Sequence, residues 1–174
     1  MKEEEKKTLL SLAKNTIAKS LGLPFEEIDA SSYDEMKGAF VTINKNGQLR
    51  GCIGYILAVE PLYKEIAKLA IEAAFRDPRF SQLAKDEFPY ISIEISVISV
   101  PKKITDLSEF KLSRDGIILT VGSRHSVFLP QVADETGWNK EQMLSALSQK
   151  AGLSSSAYKR EDAEFMTFTA EVFS

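Results

Sequence analysis

Cysteine and histidine are each nearly absent. With Cys52 as its only cysteine the chain can form no internal disulfide, and no zinc or iron–sulfur centre of several thiolates is available. His125 is the only histidine, which argues against a histidine-rich metal site. Long hydrophobic runs are missing: no stretch approaches the roughly 18 apolar residues needed to span a bilayer. The segment Met1-Lys-Glu-Glu-Glu-Lys-Lys7 is charged where a signal peptide would be apolar. These absences predict a cytoplasmic protein without a membrane partner. An excess of positive charge is lacking too. With 22 Lys and Arg against 25 Asp and Glu, the net charge is −3, which argues against coating nucleic acid through bulk charge. No phosphate-binding G-x-x-x-x-G-K-[ST], H-E-x-x-H or G-x-S-x-G motif occurs, and neither repeats nor low-complexity segments are seen.

What remains is the composition of an ordinary globular domain, 44% hydrophobic and 27% charged over 174 residues. That length suffices for one domain with a real core, or two half-domains sharing one. Its most unusual stretch is Gly47-Gln-Leu-Arg-Gly-Cys-Ile-Gly54. Upstream, Ala39-Phe-Val-Thr-Ile43 reads as a strand, and Asn46-Gly47 favours a tight hairpin turn. Leu49 to Ile53 is then the returning strand, on which Arg50 and Cys52 should share a face. Gly51 and Gly54 weaken that strand, a trade usually made for a bulge or for close approach by another group.

Residues 3 to about 21 read as a helix with Leu9, Ala13, Ile17 and Leu21 on one face, stopped by Gly22 and Pro24. A polar connector covers 25–37. A second helix starts near Pro61, carries Leu62, Ile66, Leu69, Ala70 and Ala73 as its apolar stripe, and ends at or before Asp77 because Pro78 restricts that residue. The turn Phe75-Arg-Asp-Pro-Arg-Phe80 follows. Tyr90 to Val100 is the clearest strand, with Ile91, Ile93, Ile95 and Val97 on one face and Ser92, Glu94 and Ser96 on the other. Residues 101–115 form a connector with a short strand or turn near Ile104 and Phe110. Ile117–Val121 and Ser126–Leu129 read as strands joined across Gly122-Ser-Arg-His125. A short helix over 130–136 precedes one capped by Asn139 and Gln142, and Glu164 to Phe173 reads as a closing strand. Hairpins and helices without regular βαβ alternation give an α+β fold, mainly antiparallel sheet with packed helices.

Two chemistries fit the unusual residues. In a binding reading, Arg50, Arg76 and Arg79 clamp a carboxylate or phosphate, Asp77 and Glu94 orient them, and Gly51 and Gly54 let the ligand approach the backbone. The plain counterpart is an internal salt-bridge network locking strand to helix. In a catalytic reading, Cys52 is a nucleophile or redox thiol and Glu94 or His125 handles a proton. Its plain counterpart is a small buried cysteine. Gly51-Cys-Ile-Gly54 as a nucleic-acid-binding GxxG loop is set aside, since it follows a hairpin turn and contains no basic residue.

The motifs Leu49-Arg-Gly-Cys-Ile-Gly54, Ala74-Phe-Arg-Asp-Pro-Arg-Phe80, Glu94-Ile-Ser96, Phe128-Leu-Pro-Gln-Val132, Gly137-Trp138 and Lys150-Ala-Gly-Leu153 occur in an order that resembles the AMMECR domain family, also called AmmeMemoRadiSam system protein A. The match is best over residues 38–173, so the chain is treated as a single AMMECR-type domain, 1–174. The resemblance implies two unequal subdomains sharing one core and a mostly antiparallel sheet. It implies Memo-like and radical-SAM proteins as partners. No reaction and no cofactor come with it.

Overall fold

A computed structural model describes residues 1–174. The chain divides into two units, a larger one of Met1–Ile98 with Glu171–Ser174 and a smaller one of Ser99–Ala170. Both are built of antiparallel strands with helices against them, as the patterning indicates.

In the larger unit, helix α1 (Glu3–Ser20) precedes strands β1 (Gly38–Lys45) and β2 (Gln48–Tyr55), helix α2 (Leu62–Phe75) and strand β3 (Ile91–Ile98). The Asn46-Gly47 turn has both residues at positive φ, 51° and 77°, as a two-residue hairpin of matching twist requires. β1 pairs with β2 on one side and β3 on the other, which leaves β2 at the edge of the sheet. Ala39, Val41 and Ile43 of β1 join Ile93, Ile95 and Val97 of β3 on the core face. There they meet Leu9, Ala13 and Ile17 of α1 and Ile66, Leu69 and Ala73 of α2, with Phe173 completing the cluster. Full burial of each large apolar side chain contributes about 1.5–3 kcal/mol. Between β3 and the helix before it, Lys85–Tyr90 forms a 3-10 turn that apolar periodicity does not announce.

The smaller unit holds β4 (Lys102–Ile104), β5 (Asp115–Val121), β6 (Arg124–Phe128), α3 (Val132–Thr136), α4 (Lys140–Lys150) and most of β7 (Glu164–Phe173). β7 pairs with β4 and β5, and β5 with β6. The Asn139–Gln142 capping box starts α4 as expected. His125 lies within β6, opposite Thr120, rather than in the preceding turn, because the turn needs only Gly122 and Ser123. Several motif residues here hold the unit together. Lys150 Nζ donates to the Val127 carbonyl at 2.7 Å and sits 4.9 Å from the Phe128 ring centroid, and Phe128 in turn faces Trp138 at 6.1 Å. Buried side chains form a cluster in each unit, the second around Phe110, Ile117, Leu119, Met143 and Leu147. Each set of strands has its own helix to cover it. No helix is long and apolar enough to cross a membrane.

Candidate functional site around Cys52

An edge strand presents backbone N–H and C=O groups with no neighbouring strand to receive them. At Cys52 the turn after α2 supplies both partners. The Cys52 N–H donates to Asp77 Oδ2 at 2.9 Å, and Arg79 Nη2 donates to the Cys52 carbonyl at 3.3 Å. Asp77 and Arg79 are themselves tied together: Arg79 Nε donates to Oδ1 at 3.1 Å, Nη2 to Oδ2 at 2.8 Å, and the Arg79 amide to Oδ1 at 3.1 Å. The side-chain pair thus stands where a further strand would. Asp77 is 4% exposed, and its carboxyl is held far below the ordinary value of 3.8, first by the Arg79 guanidinium and then by the two amides, against the opposing effect of burial. The partner Arg79 is raised, mainly by the same contact.

The glycines of the motif have packing reasons. A Cβ on Gly51 would lie 2.1 Å from the Ala73 carbonyl oxygen, so α2 can rest on β2 only where β2 has no side chain. A Cβ on Gly54 would meet the Phe40 ring at 2.3 Å. Close approach was expected, and the approaching groups are a helix backbone and an aromatic ring.

Arg50 occupies a register step. Ile43 pairs with Gly51 and Asn44 with Leu49, which leaves Arg50 as the extra residue of a bulge. Its side chain turns to Glu87 in the Lys85–Tyr90 segment, with Nε and Nη2 each 3.0 Å from a carboxylate oxygen, and Nη1 donates to the Ser81 carbonyl at 2.8 Å. Lys45 and the Ala84 amide complete the environment of Glu87, whose carboxyl is lowered to about 2, chiefly by Arg50. The carboxylate orienting Arg50 is therefore Glu87, where Asp77 and Glu94 were expected. This bidentate, largely buried pair is the internal lock of the plain reading.

The remaining residues are distributed. Arg76 is exposed and lines a separate depression with Phe75, Leu83 and Lys85. Glu94 lies opposite Thr42 in the β1–β3 register but makes no ion pair or side-chain hydrogen bond. The three arginines and Glu94 thus do not converge, and of the residues singled out from the sequence only Asp77 and Arg79 meet Cys52. The thiol lies half-buried, with Sγ 3.1 Å from Thr42 Oγ1, its cross-strand neighbour. Sequence reasoning missed Thr42, Ser81 and Glu87. Thr42 could have been found from hairpin register, whereas Glu87 lies too far along the chain for any local pattern to link it to Arg50.

The motif-bearing hairpin and the Asp77–Arg79 turn fall inside a family match: the AMMECR1 family model aligns with residues 10–173. The chain belongs to the AMMECR1 family. Protein PF1979 of Pyrococcus furiosus is 37% identical over 188 residues, covering 99% of this chain and 89% of that protein. A Thermococcus onnurineus protein is 40% identical over 149 residues, or 80% of this chain and 73% of its own length. Among solved structures, the uncharacterized protein PH0010 of Pyrococcus horikoshii superposes with a TM-score of 0.81 at 32% identity, covering 99% of this chain and 92% of that one. AMMECR1 membership accounts for the order of the motifs and the α+β architecture.

Proposed function

We propose that this AMMECR1-family protein is a cytoplasmic recognition module that takes a small anionic ligand, or an anionic group on a partner protein, at Arg79 beside Cys52. The observation that carries this reading is the state of the Arg79 guanidinium. Its Nε and Nη2 are anchored by a buried carboxylate and a backbone carbonyl, yet the side chain is 56% exposed and Nη1 makes no hydrogen bond within the protein. A cation fixed in one rotamer loses little entropy on meeting an anion, and its outer edge can still donate. Arg50 ties the same strand to Glu87, and Gly51 lets α2 rest on it beside the Asp77–Arg79 turn. The partners we propose are the Memo-like and radical-SAM proteins that go with the family resemblance.

Titration calorimetry with inorganic phosphate, pyrophosphate and citrate tests the reading. Arg79→Gln should weaken the best of these at least about tenfold, while Cys52→Ser stays within about twofold. Equal binding by Arg79→Gln, or no saturable binding of any of the three, refutes it. The 3.1 Å Thr42–Cys52 contact favours a second reading, in which the Cys52 thiol is the reacting group. That reading requires Cys52 to alkylate rapidly in the native protein and Cys52→Ser to abolish the chemistry.

A further inference from the structure

The β2 edge is closed at Cys52 and open one step further on. Cys52 points its N–H and C=O away from β1, since Asp77 accepts from the one and Arg79 donates to the other. Residues two apart on a strand send their backbone groups to the same side, and the β1–β2 register runs without a break from Gly51 to Tyr55. The N–H and C=O of Gly54 therefore point outward as well. No strand lies beyond them, and no backbone or side-chain group of the protein bonds them there. The Phe40 ring lies over Gly54, where a Cβ would meet it at 2.3 Å, and the residues that follow, Tyr55, Leu57 and Val59, expose apolar side chains.

Two free backbone groups on one glycine accept one residue of an extended chain as an antiparallel hydrogen-bonded pair. Such a chain runs back along β2 toward Cys52 and there meets the Asp77–Arg79 pair, which occupies the place of its next residues. It has to end opposite Gly54, and the end that it brings there is its C-terminus. The charge agrees. The Cys52 carbonyl lies on the Gly54 side of Cys52, so Arg79 is the member of the pair next to the open position, and its Nη1 is free to donate. We infer that the anionic group taken at Arg79 is the C-terminal carboxylate of a partner polypeptide, whose last residues add to β2 as a further antiparallel strand. The carboxylate accepts from Arg79 Nη1 and from the Gly54 N–H, and the last residue's N–H donates to the Gly54 carbonyl. An apolar last side chain falls on the face of the Phe40 ring, because paired residues share a face and Gly54 leaves room at the edge. The inference rests on the Arg79 reading and names its partner class.

The test is a titration of the full chain, followed by amide chemical shifts, with the peptide acetyl-Ser-Val-Thr-Val-Leu as the free acid. Beside it run the C-terminal amide and a form N-methylated at the leucine nitrogen. The amide removes the charge that meets Arg79, and the methyl removes the donor that meets the Gly54 carbonyl. Saturable shifts of the Gly54 and Tyr55 amides are expected with the free acid, with affinity at least about tenfold weaker for either altered peptide. Arg79→Gln should weaken the free acid by a similar factor, and the rest of its spectrum reports that the variant is folded. The inference is overturned if the free acid gives no saturable shift at about 5 mM. Equal binding of either altered peptide, or wild-type affinity in Arg79→Gln, overturns it as well. Phosphate separates the two readings. Saturable phosphate binding at Arg79 without peptide binding, or with the N-methylated peptide binding like its parent, overturns the strand pairing and leaves the Arg79 reading. Loss of both phosphate and peptide binding overturns both.

Discussion

Replacing Asp77 by alanine removes the group that closes the β2 edge at Cys52. Its carboxylate accepts four hydrogen bonds, one from the Cys52 amide and three from Arg79. Losing the acceptor leaves the Cys52 N–H at the edge without a protein partner, which costs about 1–3 kcal/mol. The bonds to Arg79 count for less because that guanidinium is largely in water, about 0.5–1 kcal/mol in all. The sum is about 1.5–4 kcal/mol, which for a chain of this size lowers Tm by about 3–16 °C. The pH dependence has a definite sign. The folded-state pKa of Asp77 lies below its ordinary value of 3.8, so its stabilisation is complete above that value and is lost as pH falls toward the folded one. Urea unfolding of wild type and Asp77→Ala across a pH series should show a constant gap from neutral pH down to about pH 4, narrowing below it. A gap under about 1 kcal/mol, or one that widens in acid, would refute this view of the edge.

Three further outcomes follow from the same geometry. Gly51→Ala forces a methyl to within 2.1 Å of the Ala73 carbonyl oxygen, so α2 must shift from β2; denaturation should show a loss of about 2–4 kcal/mol. Arg50→Met should return the Glu87 carboxyl from about 2 toward its ordinary 4.5, readable by carboxyl-carbon NMR titration. Glu65 is fully buried with both carboxylate oxygens lacking a hydrogen bond, and burial raises its pKa above 4.5. Glu65→Met should therefore stabilise the protein by about 1–3 kcal/mol at neutral pH. Because the charged form is the one penalised, that gain should shrink as pH falls through the folded pKa toward 4.5 and grow as it rises, which thermal melts at two pH values will show.

Elements set by local chemistry were legible in the sequence. Asn46-Gly47 makes its hairpin, Asn139 and Gln142 cap α4, and Pro78 marks the end of α2, because each signal acts within a few residues. The larger unit's core was legible from alternation in β1 and β3 and from helical spacing in α1 and α2. The site was legible only in part. Asp77 and Arg79 could be singled out as a pair at a turn, but the edge they cover is defined by strand order, which no local pattern encodes. Strict alternation placed Arg50 beside Cys52, whereas the register step at Ile43/Asn44 makes Arg50 the bulged residue and sends it to Glu87. That acceptor lies 37 residues away, on a 3-10 turn without apolar periodicity. Glu94 was correctly marked as a charge in mid-strand, and the strand register sets it opposite Thr42 rather than beside any of the three arginines.

The most direct measurement is an NMR titration of the wild-type chain with phosphate, watching the Arg79 guanidinium and the Cys52 amide together. A fixed guanidinium that binds anions through its open edge should give saturable shifts of both signals with one dissociation constant, and the Cys52 shift should vanish in Arg79→Gln. Shifts that rise linearly without saturating to about 50 mM, or a Cys52 response that persists in Arg79→Gln, would contradict a recognition site at the edge of β2.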